Sequence, residues 1–281
     1  MAKTALSSTV ILGDIHGRMD VLEEALEAAG LSTHGRWTGG ESHLVQLGDL
    51  IDRGPASLSV LDFMMRLESE AEQSGGSVTT LLGNHELMAL VASFPGTPSL
   101  RPWWFENGGR ATLHQWRQLN GDKSDEDFFQ EFGPNGRYGE WLSRRPVVAL
   151  AQGHLCSHAG IDAGELDMVK QAVEATLSDP QKLLLRMLSL GDPVFGSQGP
   201  FWRRNWQFRR LPPGVQRQVI GHTPGPGVVV SAGGRLINLD VGSYQSGRWA
   251  ALVLPGSSAI VHLSTGRRVI LEPGVDMTIE F

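Results

Sequence analysis

The sequence predicts an α/β protein in which two β-sheets pack as a sandwich flanked by helices, with a small helical cap inserted. Three observations predict it. A strand-loop-helix pattern occurs three times in the first half, the pattern breaks over about residues 93–141, and short apolar runs separated by Gly-rich turns fill the second half.

The first unit opens with Ser8–Leu12, a β-branched and apolar run that ends at Gly13, as expected of a buried strand. Asp20–Ala29 follows, with Val21, Leu22, Ala25, Leu26 and Ala29 at helical spacing. The pattern recurs where Leu44–Leu47 leads to Gly48-Asp49. Leu58, Leu61, Met64 or Met65 and Leu67 then line a helix that ends near Gly75-Gly76. A third run, Val78–Leu82, leads to Gly83-Asn84-His85 and another helical start. Three such units imply parallel pairing, and parallel sheets offer ligands the carboxyl ends of their strands.

Between about Ser93 and Trp141 the chain turns to Pro, Gly, acidic residues and the tryptophans Trp103, Trp104, Trp116 and Trp141. This predicts a partly helical cap within one domain spanning residues 1–281, since that length does not require a second core. Strands return at Val147–Leu150 and His154–Ser157, and helices are predicted at Glu165–Leu177 and Gln181–Leu190. The runs Gln218–Ile220, Val228–Ser231, Leu236–Leu239, Ala250–Leu254, Ala259–Leu263 and Arg268–Leu271 predict a second, mainly antiparallel sheet.

Composition narrows the function classes. The formal charge is −6, from 24 basic and 30 acidic residues, and Lys and Arg are scattered, so no basic stripe supports a nucleic-acid partner. The single cysteine, Cys156, excludes an intrachain disulfide framework and a Cys-based zinc cluster, and it fits a reducing compartment. The stretch MAKTALSSTVILGDIHG runs straight into polar motif residues, unlike a signal peptide, and no apolar segment approaches the ~18 to 20 residues of a membrane span. A soluble, cytoplasmic protein without a membrane partner is expected.

Chemistry is concentrated in five runs, each just after a predicted strand. They are Gly13-Asp14-Ile15-His16-Gly17, Gly48-Asp49-Leu50-Ile51-Asp52-Arg53-Gly54, Gly83-Asn84-His85-Glu86, Ser157-His158-Ala159-Gly160 and Gly221-His222-Thr223. Glycines let the backbone turn sharply, while Asp, Asn and His supply oxygen and nitrogen donors for Mn, Fe, Zn or Mg. A carboxylate such as Asp49 can bridge two ions, and two ions about 3.5–4 Å apart clamp the attacking and leaving oxygens of an in-line displacement. Phosphoryl transfer needs such a clamp.

These residues resemble the calcineurin-like metallophosphoesterases, and within them the phosphoprotein phosphatase branch, over about Val10 to Gly242. The resemblance implies a dinuclear metal centre in which Asp14, His16 and Asp49 hold one ion and Asp49, Asn84, His158 and His222 the other. It implies a hydroxide bridging the two ions as nucleophile, attacking phosphorus directly. His85 matches the general acid that protonates the leaving oxygen, and Asp52 the carboxylate that orients it. Asn84 and Arg53 match phosphate contacts, a task that suits the planar guanidinium. Gly199-Pro200-Phe201-Trp202-Arg203-Arg204 resembles the Trp-x-Arg stretch of bacterial and plant Shewanella-like phosphatases, which selects Arg204 as the second phosphate arginine, with Arg203 as the fallback.

Further details bear on the branch. Diesterase and nuclease branches usually carry Gly-His-x-His, but here Gly221-His222-Thr223 is followed by Pro224. Trp37-Thr38-Gly39-Gly40, Leu81–Glu86 and Asn238–Ser243 look like Shewanella-like phosphatases, with a departure at Ala89, where those often have Asn. Arg53-Gly54-Pro55-Ala56-Ser57-Leu58 resembles symmetrical diadenosine tetraphosphate hydrolases, which typically read Asn-His-Asp where this chain has Asn84-His85-Glu86. The implied substrate is a phosphorylated protein or a small phosphoester, with phosphoserine, phosphothreonine and phosphotyrosine all open, and the dinucleotide as the alternative.

Other residues carry weaker expectations. His34, His43, His114, His154 and His262 match no ligand position. Trp103, Trp104 and Phe105 are candidates for stacking on a substrate, although filling the cap's core is the commoner role of such aromatics. Tyr244 is a candidate to reach the phosphate, Asp240 to support a ligating histidine, and Cys156 a buried strand thiol.

Overall fold

The computed structural model of the protein describes residues 8–281 apart from 122, 178, 180–181, 183–184, 187–188, 190, 205–209 and 256–257. The apolar runs of the sequence become strands β1 (Thr9–Leu12), β2 (Ser32–Thr33), β3 (Arg36–Trp37), β4 (His43–Gln46), β5 (Ser77–Thr80), β6 (Val148–Ala151) and β7 (His154–Ser157). After them come β8 (Arg217–Ile220), β9 (Val228–Ser231), β10 (Leu236–Asn238), β11 (Ala250–Leu254), β12 (Ile260–Leu263), β13 (Arg268–Ile270) and β14 (Met277–Ile279). The helices are α1 (Met19–Ala28), α2 (Ser57–Gln73), α3 (Asn84–Ala92), α4 (Arg101–Trp104), α5 (Arg110–Asn120), α6 (Asp125–Phe132), α7 (Arg137–Ser143) and α8 (Leu166–Leu177). The helix expected over Gln181–Leu190 lies largely outside the described residues.

The strands form two six-stranded sheets, ordered β13-β12-β11-β1-β4-β5 and β14-β9-β10-β8-β7-β6, beside the small β2-β3 hairpin. β1, β4 and β5 are parallel, as the three strand-loop-helix units require. The expectation of a second, mainly antiparallel sheet built from residues 218–271 needs correction. β11, β12 and β13 do not join that sheet but extend the first one, with β11 antiparallel against β1. The second sheet is mixed, because β7, β8 and β10 run parallel at its centre. Short apolar runs report burial on a sheet, not which sheet receives them.

Alternation along the strands separates the two faces. Ile11, Val45 and Leu252 point between the sheets, where they meet Val219, Val230 and Ile237. Val10, Leu12, Leu44 and Val78 point the other way, onto Val21, Leu22, Leu61 and Met64 of the helical layer. That layer continues into the segment between α3 and β6, whose Trp104, Trp116, Phe128 and Phe132 are buried in the same cluster. Hydrogen bonds from Tyr138 to Asp62 (3.0 Å) and from Trp141 to Glu68 (2.8 Å) fasten the segment to α2.

Two buried side chains fix the loops at the strand ends. Gln46 donates to the carbonyls of Gly13 (3.3 Å) and Gly48 (2.7 Å) and accepts from Gly48 N–H (2.9 Å). Glu86, in the first turn of α3, accepts N–H bonds from Gly83 (3.0 Å), Asp49 (2.8 Å), Leu50 (2.8 Å) and Ile51 (3.2 Å). One carboxylate thus satisfies four backbone donors of two loops that neither helix nor sheet could pair. Glu86→Ala is expected to lower the unfolding free energy by at least about 3 kcal/mol, since it strands those buried donors. Denaturant unfolding checks this, and an unchanged midpoint would contradict the clamp.

His154 provides a pH handle away from these loops. It is buried, its Nδ1–H donates to the Gln152 carbonyl (2.9 Å), and burial holds its pKa below the ordinary histidine range, with Arg217 adding to the shift. The unfolded chain protonates this ring near its ordinary value of about 6.5 while the folded chain resists. The contribution is therefore present above that value and lost as pH falls through the depressed folded value. Lowering pH from about 7.5 to 5 is expected to reduce the thermal midpoint less in His154→Asn than in the parent chain, as thermal melts across that range would read.

Candidate metal centre

Both sheets deliver their motifs at carboxyl ends of strands. β1 leads to Asp14 and His16, β4 to Asp49, β5 to Asn84, β7 to His158 and β8 to His222. Main-chain bonds lock the loops together: Ile15 and His16 N–H reach the Asp49 carbonyl (3.1 and 2.8 Å), Gly17 N–H reaches Leu50 (2.7 Å), and Gly221 N–H reaches His158 (2.8 Å). The packing leaves no room for a side chain at two approaches. A methyl at Gly83 would collide with the Asp49 carboxylate and backbone, and one at Gly221 with the Asp14 carboxylate. His16, Asp49, Asp52, Arg53 and His222 all adopt left-handed backbone, with φ of 47°, 55°, 73°, 66° and 70°. Such conformations are costly for these residue types and persist where the surroundings over-determine them.

The six donor residues expected from the sequence are brought together and buried, none more than 5% exposed. Two trios of donor atoms lie within 4.8 Å of one another, His16-Asp49-His85 and Asp49-His158-His222. Asp49 belongs to both. Asn84 Oδ1 lies 2.8 Å from His158 Nε2 and 3.0 Å from His222 Nδ1. Asp14 joins neither trio; its carboxylate accepts the His222 N–H (3.2 and 3.1 Å) at the seam between the two sheets. His85, read from the sequence as an acid, also falls among the donors of the first trio.

The electrostatics fit cations. His158 Nδ1 donates to the Leu47 carbonyl (2.9 Å), so on a neutral ring Nε2 would carry a lone pair facing Asn84 Oδ1 and Asp49 Oδ1, the latter at 3.4 Å. Oxygen acceptors around a second acceptor require a positive centre between them. Burial works against a charge on this ring, yet the Asp49 carboxylate pushes His158 up to about 10. Burial likewise would raise Asp49, but the imidazoles of His158 and His85 hold it well below the usual carboxylate range. Burial and the nearby Asp240 and Asp49 charges push Asp14 well above that range. Burial keeps His16 and His222 neutral, His222 down to about 3 with help from His158 and Arg204. Neutral imidazoles, buried carboxylates and an amide oxygen are a donor set for divalent ions.

Beside this cluster, Asp52 accepts from His85 Nδ1–H (2.8 Å), which turns His85 Nε2 toward the cleft. Arg53 lies against both imidazoles, with Nη1 2.5 Å from His16 Nε2 and Nη2 2.9 Å from His85 Nε2, and its guanidinium sits 4.9 Å over the Tyr244 ring. Arg203 turns away to pair with Glu165 (2.9 and 3.0 Å). Arg204 is exposed, and its charge is felt at His222.

Other expectations divide. Tyr244 lies beside the centre, its ring 5.5 Å from that of His16. Trp104 is not free to stack on a substrate, for it is fully buried and lies parallel to Phe128 at 5.7 Å. Asp240 accepts from Gly242 N–H (2.9 Å), not from a ligating histidine; the carbonyls of Ile51 and Leu47 orient His16 and His158 instead. Cys156 is a buried thiol in β7. Sequence reading missed Glu86 as the brace of the Asp49 loop, although its place three residues after Gly83 at a helix start is the signal of a capping acid. It also missed that the segment between α3 and β6 reaches the Asp52 carboxylate, for which no local pattern exists.

Comparison with known proteins agrees with this geometry. The family described as Calcineurin-like phosphoesterase matches residues 7–239. Shewanella-like protein phosphatase 2 of Arabidopsis thaliana is 44% identical over 86 residues, 30% of this chain and 22% of that protein. A symmetrical bis(5'-nucleosyl)-tetraphosphatase of Cronobacter sakazakii is 30% identical over 202 residues, 69% of this chain and 57% of that protein. The matched stretches thus span less than two thirds of either relative. A mutant cold-active protein tyrosine phosphatase of solved structure superposes with a TM-score of 0.76 at 25% identity, covering 95% of this chain and 81% of that one. Among the described residues no helix is long and apolar enough to cross a membrane. With its motifs gathered at the strand ends of two packed sheets, the chain belongs to the calcineurin-like phosphoesterases.

Proposed function

We propose that the protein is a dinuclear metallophosphatase that hydrolyses phosphomonoesters, with phosphoproteins as its substrates. The observation that carries this is the His85–Asp52 pair at 2.8 Å, set beside a donor cluster centred on Asp49 and touched by Arg53. Asp14, His16 and Asp49 would hold one ion, and Asp49, Asn84, His158 and His222 the other. Manganese is the proposed metal, with Fe, Zn or Mg as the alternatives, since the carboxylate and amide oxygens of the set suit it. When bound, the ions supply Lewis-acid activation of water and of the phosphoryl group.

The chain's own residues complete the reaction. Asp52 fixes the His85 ring through Nδ1, and Nε2, which Arg53 Nη2 meets at 2.9 Å in this structure, would carry the proton to the departing oxygen once the guanidinium turns to the phosphoryl group. Arg53, with Arg204 and the Asn84 amide, would hold the phosphoryl oxygens. Pro224, standing where diesterase branches usually have a second histidine, favours a monoester substrate. The helical segment over about residues 93–141 is proposed as a cap within a single domain, and the cytoplasm as the protein's compartment.

A second reading has its own support. Arg53-Gly54-Pro55-Ala56-Ser57-Leu58 and the Cronobacter relative favour a symmetrical dinucleoside polyphosphate hydrolase, which would use the same centre. Phosphoserine, phosphothreonine and phosphotyrosine peptides assayed beside diadenosine tetraphosphate, under Mn, Fe, Zn and Mg in turn, separate the two. Faster turnover of a phosphopeptide is expected; faster cleavage of the dinucleotide would replace the substrate and keep the centre.

His85→Ala is expected to lower turnover of a phosphoserine peptide by roughly 10²- to 10⁴-fold, the usual worth of a general acid. Metal content read by elemental analysis should stay near that of the parent chain. Near-normal turnover would remove His85 from the role of acid.

A further inference from the structure

Asp52 is held by more than His85. Its carboxylate is fully buried, and three side chains donate to it: His85 Nδ1–H (2.8 Å) and Trp104 Nε1–H (2.7 Å) to Oδ2, and the Thr112 hydroxyl (2.7 Å) to Oδ1. Thr112 Oγ1 and Ser57 Oγ lie 2.9 Å apart, and both also accept the Asp52 N–H, at 3.2 and 2.9 Å. Two of the three carboxylate donors come from one place in the chain, Trp104 in α4 and Thr112 in α5, far in sequence from the motifs of the centre.

The donors cannot turn away. The Trp104 ring has no solvent exposure and packs between Phe105 (5.9 Å), Phe128 (5.7 Å) and Phe132 (5.7 Å). Thr112 has none either. A carboxylate free to rotate about its last bond would let the imidazole swing with it. One pinned at both oxygens offers His85 a single acceptor direction, which keeps His85 Nε2 aimed into the cleft beside Arg53 Nη2 (2.9 Å). The same segment also holds the next residue, for Arg53 N–H donates to the Gly108 carbonyl (3.2 Å), and a methyl at Gly108 would collide with Arg53.

We infer that Trp104 and Thr112 are positioning residues for the proton-delivering His85–Asp52 pair, so that the helical segment between α3 and β6 sets the efficiency of leaving-group protonation. This rests on the reading of His85 as the acid. Neither residue touches substrate; each acts through Asp52. Their hydrogen bonds matter to the extent that the departing oxygen needs a proton, a dependence that a purely structural role would not produce.

The test compares two substrates on the metal-loaded protein. A phosphoserine peptide leaves as an alkoxide that must be protonated, while 2,4-dinitrophenyl phosphate leaves as a stable phenoxide. Trp104→Phe, which keeps the aromatic packing and removes the N–H, and Thr112→Val, which keeps the shape and removes the hydroxyl, are each expected to lower kcat on the peptide by roughly 10-fold. KM and metal content should hold within about twofold, as should kcat on dinitrophenyl phosphate, and Thr112→Ser should restore the peptide activity. In a His85→Ala background, adding Trp104→Phe should change nothing further.

Equal losses on both substrates, or none on either, would overturn the inference. If Trp104→Phe fails to fold, the Thr112→Val and Thr112→Ser pair decides alone. His85→Ala serves as the control on the underlying reading. Equal loss on both substrates in that variant removes the acid and takes this inference with it. A peptide-selective loss there, without one in Trp104→Phe and Thr112→Val, removes only the inference.

Discussion

Glu86 joins the loops that the strands cannot join for themselves. Where β4 and β5 stop, the chain must leave its hydrogen-bond ladder to turn Asp49 and Asn84 toward one point, and the amides freed by that turn lie where water does not reach. The Glu86 carboxylate takes four of them at once. A charged acceptor shared among several N–H groups is stronger than neutral pairing would be. Left-handed backbone at Asp49 and Asp52 can therefore be tolerated on either side of the braced stretch. Burial and the nearby Asp49 charge push Glu86 up to about 7, so the brace feels the charge state of the centre that it supports.

The centre gathers several buried carboxylates that raise one another's cost. Asp14, Asp49 and Asp240 are close enough for each to raise the free energy of another's charge, and, against burial, two of them, Asp49 and Asp14, push His158 up to about 10. Burying several carboxylates together is costly unless cations compensate. Cations held by this cluster would offset that cost, so that metal binding and local stability would be two views of one equilibrium. The backbone carbonyls of Leu47 and Ile51 contribute quietly, by fixing which nitrogen of His158 and His16 faces inward.

Much of this was legible in the sequence because the chemistry follows strands directly. Asp14, Asp49, Asn84, His158 and His222 each stand within two residues of an apolar run in the sequence whose period and ending announce a buried strand, so their convergence follows from parallel pairing and sheet packing. Arg203 pairs with Glu165, a contact 38 residues away that no spacing rule could give. What was not legible is tertiary. Nothing local told that β11, β12 and β13 would extend the first sheet, since an apolar strand fits either face of a sandwich. Nor could local pattern tell that Trp104 would spend its N–H on Asp52, because an aromatic in a helical segment has the same signature whether it fills a core or grips a carboxylate.

The place of β11 has a consequence for how the protein comes into being. β1, which leads to Asp14 and His16, has β4 on one side and β11 on the other, and β11 is made of residues 250–254, about 240 residues further along the chain. Until those residues emerge during synthesis, β1 has an unpaired edge on the side that β11 will cover. Contacts between sequence-distant segments close slowly, because loop entropy is spent before the contact repays it. The nascent chain can therefore assemble its first parallel strands early, but the seam that gathers the donors closes only once residues 217–254 have been made.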